Sequence, residues 1–363
     1  MKKPIRILHY IPGFNFGGIE SRFMDIFNAI NHNEFQFDIM VLTSAENPML
    51  KSFKDRGGNV YVMPPLSPRS INQHIKEVKK FFNEHNYDIV HCYSPLGYFV
   101  LKYANINGVK GRILHARSSS FGGSSAVWLR EILKVLTRKQ ANIYLAVSKS
   151  AASWVFGNSN KVEVIKNSID VSKFLYNEQI RSKIRNQLNA SNHFLVGHVG
   201  RYTYAKNHTF VLKVFKEILK LHPNSRLLLV GTDLKDIEEH AKALEITDKI
   251  IAVGFQNDVS PFYQSMDALI FPSFYEGLPG TLLEAQVSGL KCFVSNTITK
   301  EVDVTPEIHF LDLNLPSDEW AKFIIEHSLN YERKNQLDNI KNSGFELKSS
   351  VNRLEQIYRS CVE

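Results

Sequence analysis

At 363 residues the chain is long enough for two packed cores, and its 44% hydrophobic and 22% charged residues exclude a disordered or fibrous protein. The formal net charge of +8 points to anionic partners, among them nucleic acid, an acidic membrane surface and phosphorylated small molecules. No run of about 18 apolar residues is present, so no membrane span is expected. The three cysteines (Cys92, Cys292, Cys361) have neither metal-site nor CxxC spacing and suit a reducing, cytoplasmic setting.

The stretch 5–11 is apolar but short, contains Arg6 and His9, and breaks at Pro12-Gly13 without a small-residue cleavage site. It reads as a first core strand rather than a signal peptide. Further β-rich runs follow at 36–42, 59–63, 88–92, 112–115 and 142–147, separated by amphipathic helical patterns such as 20–30, 71–85 and 127–139. The alternation restarts with strands at 195–200, 226–231, 250–254, 268–271 and 291–295, and helices at 210–222, 234–245, 260–265 and 280–288. Near-continuously apolar strands alternating with helices predict parallel sheets covered on both faces. The domain boundary is expected within the polar stretch 167–191, and a last helix at 349–361. In doubly wound sheets ligands sit at the carboxyl ends of the strands, so strand-to-helix junctions are where chemistry is sought.

Three junctions stand out. After the first strand, Gly13, Gly17 and Gly18 allow close backbone approach to a phosphate ahead of a helix start, but they make neither GxGxxG nor a Walker A motif. After strand 195–200, Arg201 offers a planar fork for phosphate oxygens and Lys206 a point charge. After strand 268–271, Glu276 and Glu284 flank a Gly-Leu-Pro-Gly turn that opens a helix. Amides at Gly280, Thr281 and Leu282 can take a phosphate oxygen. Glu284 can accept hydrogen bonds from a ribose diol, or simply compensate the helix dipole.

Taken in order, Gly-Gly-x-Glu at 17–20, Gly-Arg-x4-Lys at 200–206 and Glu-x7-Glu at 276–284 resemble the retaining GT-B glycosyltransferases of the family 4 type, also called glycosyl transferases group 1. The bacterial capsular and exopolysaccharide enzymes are the most similar branch. The likeness extends to Asp88-Ile-Val-His91, Leu145-Ala-Val-Ser148 and Val164-Ile-Lys-Asn-Ser-Ile-Asp170. It implies an α/β, GT-B fold of two doubly wound Rossmann-like domains facing across a cleft. An acceptor-binding domain would span 1–175 and a nucleotide-sugar domain 176–345, with a C-terminal helix at 346–363 able to cross back to the first domain.

By the same resemblance, Arg201 and Lys206 neutralise the donor diphosphate, Glu284 binds the ribose and Glu276 lies near the transferring sugar. Gly17, Gly18, Gly280, Thr281 and Leu282 complete the donor site. No cofactor or metal is expected, and no Asp-x-Asp motif is present. His115 is the candidate for contacting the donor sugar or shaping the acceptor site. The related polysaccharide enzymes often read His-Ser-His there, whereas this chain reads His115-Ala116-Arg117, which makes Arg117 an acceptor-side candidate; His91, also at a strand end, is either structural or a further acceptor-side candidate. The implied reaction moves a hexose or N-acetylhexosamine from a UDP-sugar to a glycan or lipid-linked sugar during surface polysaccharide biosynthesis.

The segment 126–140 joins Trp128, Leu129, Ile132 and Val135 to Arg130, Lys134, Arg138 and Lys139. It suits either peripheral contact with an anionic membrane on the inner face of the plasma membrane or a sheet-covering helix with a solvated basic edge. Other readings are a GT-B sugar-nucleotide epimerase or hydrolase and a non-catalytic GT-B partner subunit. No nucleic-acid module and no dinucleotide fingerprint is found.

Overall fold

The computed structural model describes residues 3–14, 18–42, 48–118 and 127–363. They form two compact units, Met1–Ser168 with Leu347–Glu363, and Ile169–Glu346. The first contains strands β1 (Ile5–Tyr10), β2 (Phe35–Val41), β3 (Val60–Val62), β4 (Ile89–Cys92), β5 (Gly111–Ala116), β6 (Ile143–Ala146) and β7 (Val162–Val164). The second contains β8 (Phe194–Val199), β9 (Ser225–Val230), β10 (Ile250–Ala252), β11 (Ala268–Phe271), β12 (Lys291–Ser295) and β13 (Ile308–Leu311). The sheet orders are β3-β2-β1-β4-β5-β6-β7 and β10-β9-β8-β11-β12-β13, with parallel pairing at the centre of each. Both units are thus doubly wound, Rossmann-like α/β domains.

Each sheet is buried on both faces, which explains its near-continuously apolar strands. In β1, Ile7 belongs to one core and Leu8 and Tyr10 to the other. In the second sheet, Leu269 and Phe271 face one core while Ala268 and Ile270 face the opposite one. The sequence does not announce β7 and β13. They are edge strands of three and four residues, half-exposed, with little apolar run to detect.

The first unit ends at Ser168 rather than at 175. Ile169, Val171 and Phe174 explain the difference, because their side chains are buried in the second unit's core. The chain enters and leaves that unit side by side, Ile169 bridging Glu346 in parallel. From Leu347 it returns to the first unit as the helix Leu347–Ser360, whose Val351, Leu354, Ile357 and Tyr358 join the first core. Bidentate pairs fix this helix: Arg359 to Glu34 at 2.7 and 2.8 Å, and Arg353 to Glu163 at 2.6 and 2.9 Å.

The helix Val127–Gln140 corrects the sheet-covering reading. Its buried residues are Lys134 and Thr137, while Val127, Trp128, Leu129, Ile132 and Val135 are 40–68% exposed. Lys134 is accommodated inward because its ammonium donates to the Trp154 carbonyl at 3.0 Å, lies 4.7 Å over the Trp154 ring and pairs with Glu131 at 2.7 Å. The helix therefore turns an apolar stripe outward. No helix among the described residues is long and apolar enough to cross a membrane.

Candidate active site

In each sheet the strand order reverses between two central strands, β1 and β4 in the first and β8 and β11 in the second. Loops diverge at such a point and leave a crevice beyond the strand ends. The sequence-selected residues gather at these two places.

In the second unit, β8 is buried throughout and ends at Val199, with Gly200 next in the chain. A Cβ at Gly200 would lie 2.9 Å from Cε of Lys206, so glycine lets the lysine fold back over the strand end. Gly231, at φ +89°, comes so close that a Cβ there would lie 3.0 Å from the Gly200 carbonyl oxygen. Arg201 follows with its side chain exposed. One 3-10 turn, Tyr204–Lys206, leads to Asn207 in the left-handed region, and the helix His208–Leu221 begins. This loop is tied to the loop after β11. Asn207 Nδ2 donates to the Pro272 carbonyl at 3.1 Å, and the Phe274 amide donates to the Ala205 carbonyl at 2.8 Å. Tyr204 stacks on Phe274 at 4.9 Å.

That clamp brings Lys206 Nζ to 2.8 Å from Glu276 Oε1 and to 4.5 Å over the Phe271 ring. The two side chains are 17% and 20% exposed, so this ion pair is partly withdrawn from water. Behind it, Tyr263 donates its hydroxyl to Glu284 Oε2 at 3.0 Å. Burial and then the Glu284 charge push that phenol far above its usual range, which keeps it a donor. Gly280 opens the helix Gly280–Val287 with Thr281 beside it. Leu282 is not a free amide as expected, because its N–H donates to the Pro279 carbonyl at 3.2 Å and closes the first turn. Gly280 and Thr281 retain the first-turn position at which amides lack intrahelical partners.

Two histidines that the sequence reading did not single out brace this loop pair. Thr232 donates to the Gly200 carbonyl at 2.8 Å, so its oxygen accepts from His208 Nε2, also at 2.8 Å. His198 Nδ1 donates to the Ile270 carbonyl at 2.9 Å. Burial first, and then nearby positive charge, depress both imidazoles, His208 to about 4, so each remains a neutral strut.

The first unit's switch point is of another kind. Register pairs His9 of β1 with His91 of β4, and His91 with Ile113 of β5, two residues before His115. The three imidazoles therefore share one face, and Tyr93 stacks 4.4 Å from the His91 ring. His91 has no free nitrogen: Nδ1 lies 2.8 Å from the Tyr358 hydroxyl and Nε2 lies 3.0 Å from His115 Nδ1. His115 is buried with Nε2 unpartnered, and Arg117 has Nε and Nη2 buried without an acceptor. The Arg117 guanidinium lies 5.4 Å over the Tyr93 ring. Burial lowers His9 to about 3 and Arg117 to about 10, and holds His91 and His115 well below the usual imidazole range. Gly18 opens the helix Gly18–Ala29, while Gly17 lies outside the described residues.

The structure thus joins Lys206 to Glu276 and His91 to His115, with Arg117 alongside, while Arg201 stands exposed and Glu284 is held by Tyr263. His9 was legible as a polar residue in an apolar strand. Tyr358 carried no such mark, because Tyr in an amphipathic helix is ordinary. Among the described residues no group of three or more His, Cys, Asp or Glu side chains could hold a metal ion.

Two doubly wound domains with charged, strand-end loops of this kind define a GT-B glycosyltransferase. The model of "Glycosyltransferase Family 4" matches residues 16–173 and that of "Glycosyl transferases group 1" matches 180–307, and the chain belongs to this family. It is 25% identical to the putative glycosyltransferase EpsF of Bacillus subtilis over 99% of this chain and 97% of that protein. It is 25% identical to the capsular polysaccharide biosynthesis glycosyltransferase CapH of Staphylococcus aureus, over 98% and 99%. The same identity relates it to the Escherichia coli UDP-Gal:alpha-D-GlcNAc-diphosphoundecaprenol alpha-1,3-galactosyltransferase, over 90% of each. In fold it superposes on Anabaena HepE, solved with UDP and glucose, with a TM-score of 0.80 at 17% identity over 98% of this chain and all of that one.

Proposed function

We propose that the protein is a retaining, metal-independent glycosyltransferase of surface polysaccharide biosynthesis that moves a hexose or N-acetylhexosamine from a UDP-sugar to a glycan or lipid-linked sugar. The observation that carries this reading is the Lys206–Glu276 pair at the second sheet's switch point, beside the exposed Arg201. An ammonium held by a single carboxylate can exchange that partner for a phosphate oxygen. Arg201 adds a bidentate fork, and the amides of Gly280 and Thr281 face negative charge at a helix start. Together they supply the positive charge that a divalent ion would otherwise bring to the leaving diphosphate. Glu284, which accepts from Tyr263, is the carboxylate assigned to the ribose hydroxyls. Glu276 is placed to meet the transferring sugar.

In the retaining course favoured by the family resemblance, the anomeric C–O bond to phosphate breaks as the acceptor oxygen bonds the same face. The acceptor proton passes to the departing phosphate oxygen, releasing nucleoside diphosphate. HepE, solved with UDP, and the galactosyltransferase named for UDP-Gal support a uridine donor. The diphosphoundecaprenol in the latter's name and the outward apolar stripe at Trp128, Ile132 and Val135 support an acceptor at a membrane surface.

Thermal shift with UDP and UDP-sugars tests the reading. A ligand at a hundredfold over its Kd stabilises by about 2.7 kcal/mol. Glu284→Ala should weaken nucleotide binding, whereas Glu276→Ala should leave binding and lower turnover. A wild-type protein that no nucleotide or nucleotide-sugar stabilises would overturn the proposal.

A further inference from the structure

Two shielded guanidinium nitrogens of the half-buried Arg117 are not explained by packing. Its Nε and Nη2 are shielded from water and have no hydrogen-bond partner, although a guanidinium carries five donors and buried polar groups are normally satisfied. The unpartnered Nε2 of His115 belongs to the same small cavity. That cavity is lined by Arg22, His115, Arg117, Lys166, Asn167 and Ser168, with apolar side chains and Ser350 completing the wall. It has three cations and no carboxylate. Arg22 is already engaged by Asp25 at 2.8 Å and by the Ser168 carbonyl at 3.3 Å, whereas Arg117 has two buried donors without an acceptor. The free space is about 10 Å³, enough for one oxygen-sized atom and far too little for a sugar ring.

The hydrogen-bond chain behind His115 selects which species it presents. If the Tyr358 hydroxyl donates to His91 Nδ1, His91 Nε2 donates to His115 Nδ1, and the His115 proton lies on Nε2. In the opposite order the Tyr358 O–H would be buried without an acceptor, since His91 is its one hydrogen-bond partner among the described residues. Each order thus leaves one buried donor unmade while the cavity is empty, the His115 Nε2–H or the Tyr358 O–H; an acceptor oxygen at His115 Nε2 satisfies the former, so the first order prevails when the cavity is filled. His115 Nε2–H and the Arg117 guanidinium then form a pair of donors in one cavity.

We propose that Arg117 and His115 form a subsite for one oxygen of an anionic group on the acceptor, a carboxylate or a phosphate, with Tyr358 and His91 as positioning residues that keep the His115 proton on Nε2. This rests on the transferase reading only in assigning the anion to an acceptor; the oxyanion site itself does not depend on it. It gives the Arg117 position a purpose that a second histidine there, neutral at pH 7, would not serve.

The test is long-range imidazole 1H–15N NMR on the full chain, titrated with inorganic phosphate and with methyl glucuronide. With anion bound, His115 should show the Nε2–H tautomer. Its Nε2 signal should move saturably with at least one anion and not with methyl glucoside; which anion acts distinguishes phosphate from carboxylate. Arg117→Met should weaken that response at least about tenfold, with Arg117→Lys intermediate. Arg201→Gln, which removes a donor-site cation, should leave it intact. Tyr358→Phe should shift the His115 tautomer and weaken the anion response while leaving UDP binding unchanged. Far-UV circular dichroism identifies any variant that fails to fold, and the wild-type titration stands regardless. A His115 signal indifferent to both anions, or a response that survives Arg117→Met, overturns the subsite. UDP binding without an anion response removes the subsite alone; an anion response without UDP binding removes the donor reading alone.

Discussion

The two switch points use positive charge in opposite ways. In the second unit, Lys206 and Glu276 sit on loops, partly open to solvent, each neutralised by the other. In the first unit, His9, His91 and His115 lie enclosed on central strands with Arg117 half-buried just beyond, and the group is partly unpartnered. A loop charge with a replaceable partner can be handed to an arriving phosphate at little cost in desolvation. A buried donor cannot relax, so it selects for geometry and is sensitive to acid. Sheet position alone therefore separates a place that neutralises charge from a place that recognises it.

The sharpest way to break this comparison is Arg201→Ala. It should cost about 2.7–4 kcal/mol of transition-state stabilisation, as loss of a preorganised donor to a developing oxyanion does, read as kcat/KM. An unchanged kcat/KM would remove Arg201 from the leaving-group role. Next comes Lys206→Met, which leaves Glu276 without its cation. Because the pair is only partly buried, the expected loss of folding stability is about 1–3 kcal/mol by denaturant titration. Lys206→Met combined with Glu276→Gln should recover most of that stability and none of the activity. Recovery of neither would mean that Lys206 acts through the Phe271 contact rather than through charge.

Acid sensitivity sharpens the other half. His9 stays neutral in the fold down to about pH 3, whereas unfolded histidine protonates near 6.5. Below 6.5 the unfolded chain binds more protons, so stability present above that pH is lost as pH falls toward about 3. His91 and His115 act in the same direction. His9→Phe, packed against Phe23 and Phe37, should make the decline of Tm with acid shallower. An unaltered slope would show that the acid response arises elsewhere. The smallest effect on the fold is expected from Trp128→Ser with Ile132→Ser, which should change stability by about 0.5 kcal/mol or less yet reduce co-sedimentation with anionic vesicles at low salt. Equal sedimentation of variant and wild type would remove the membrane role from this helix.

Much of this molecule was legible before its fold. Strand-to-helix alternation gave both doubly wound sheets, because buried parallel strands must be apolar on both faces. Glycine, cation and acid spacings located Arg201, Lys206, Glu276 and Glu284 at strand ends. The helix at 127–140 was legible as amphipathic, but not which face turned inward, since Lys134 finds a carbonyl and an indole to receive its ammonium.

What the sequence determined by itself is local: periodicity, turn chemistry and the residue types at each junction. Tertiary structure alone decided which of them meet. Lys206 finds Glu276 because two loops 70 residues apart are stitched by Asn207 and Phe274. Tyr358 finds His91 across 267 residues because the last helix returns to cover the first sheet. Neither pairing leaves a periodic trace, because a hydrogen bond depends on distance in space and not on separation along the chain.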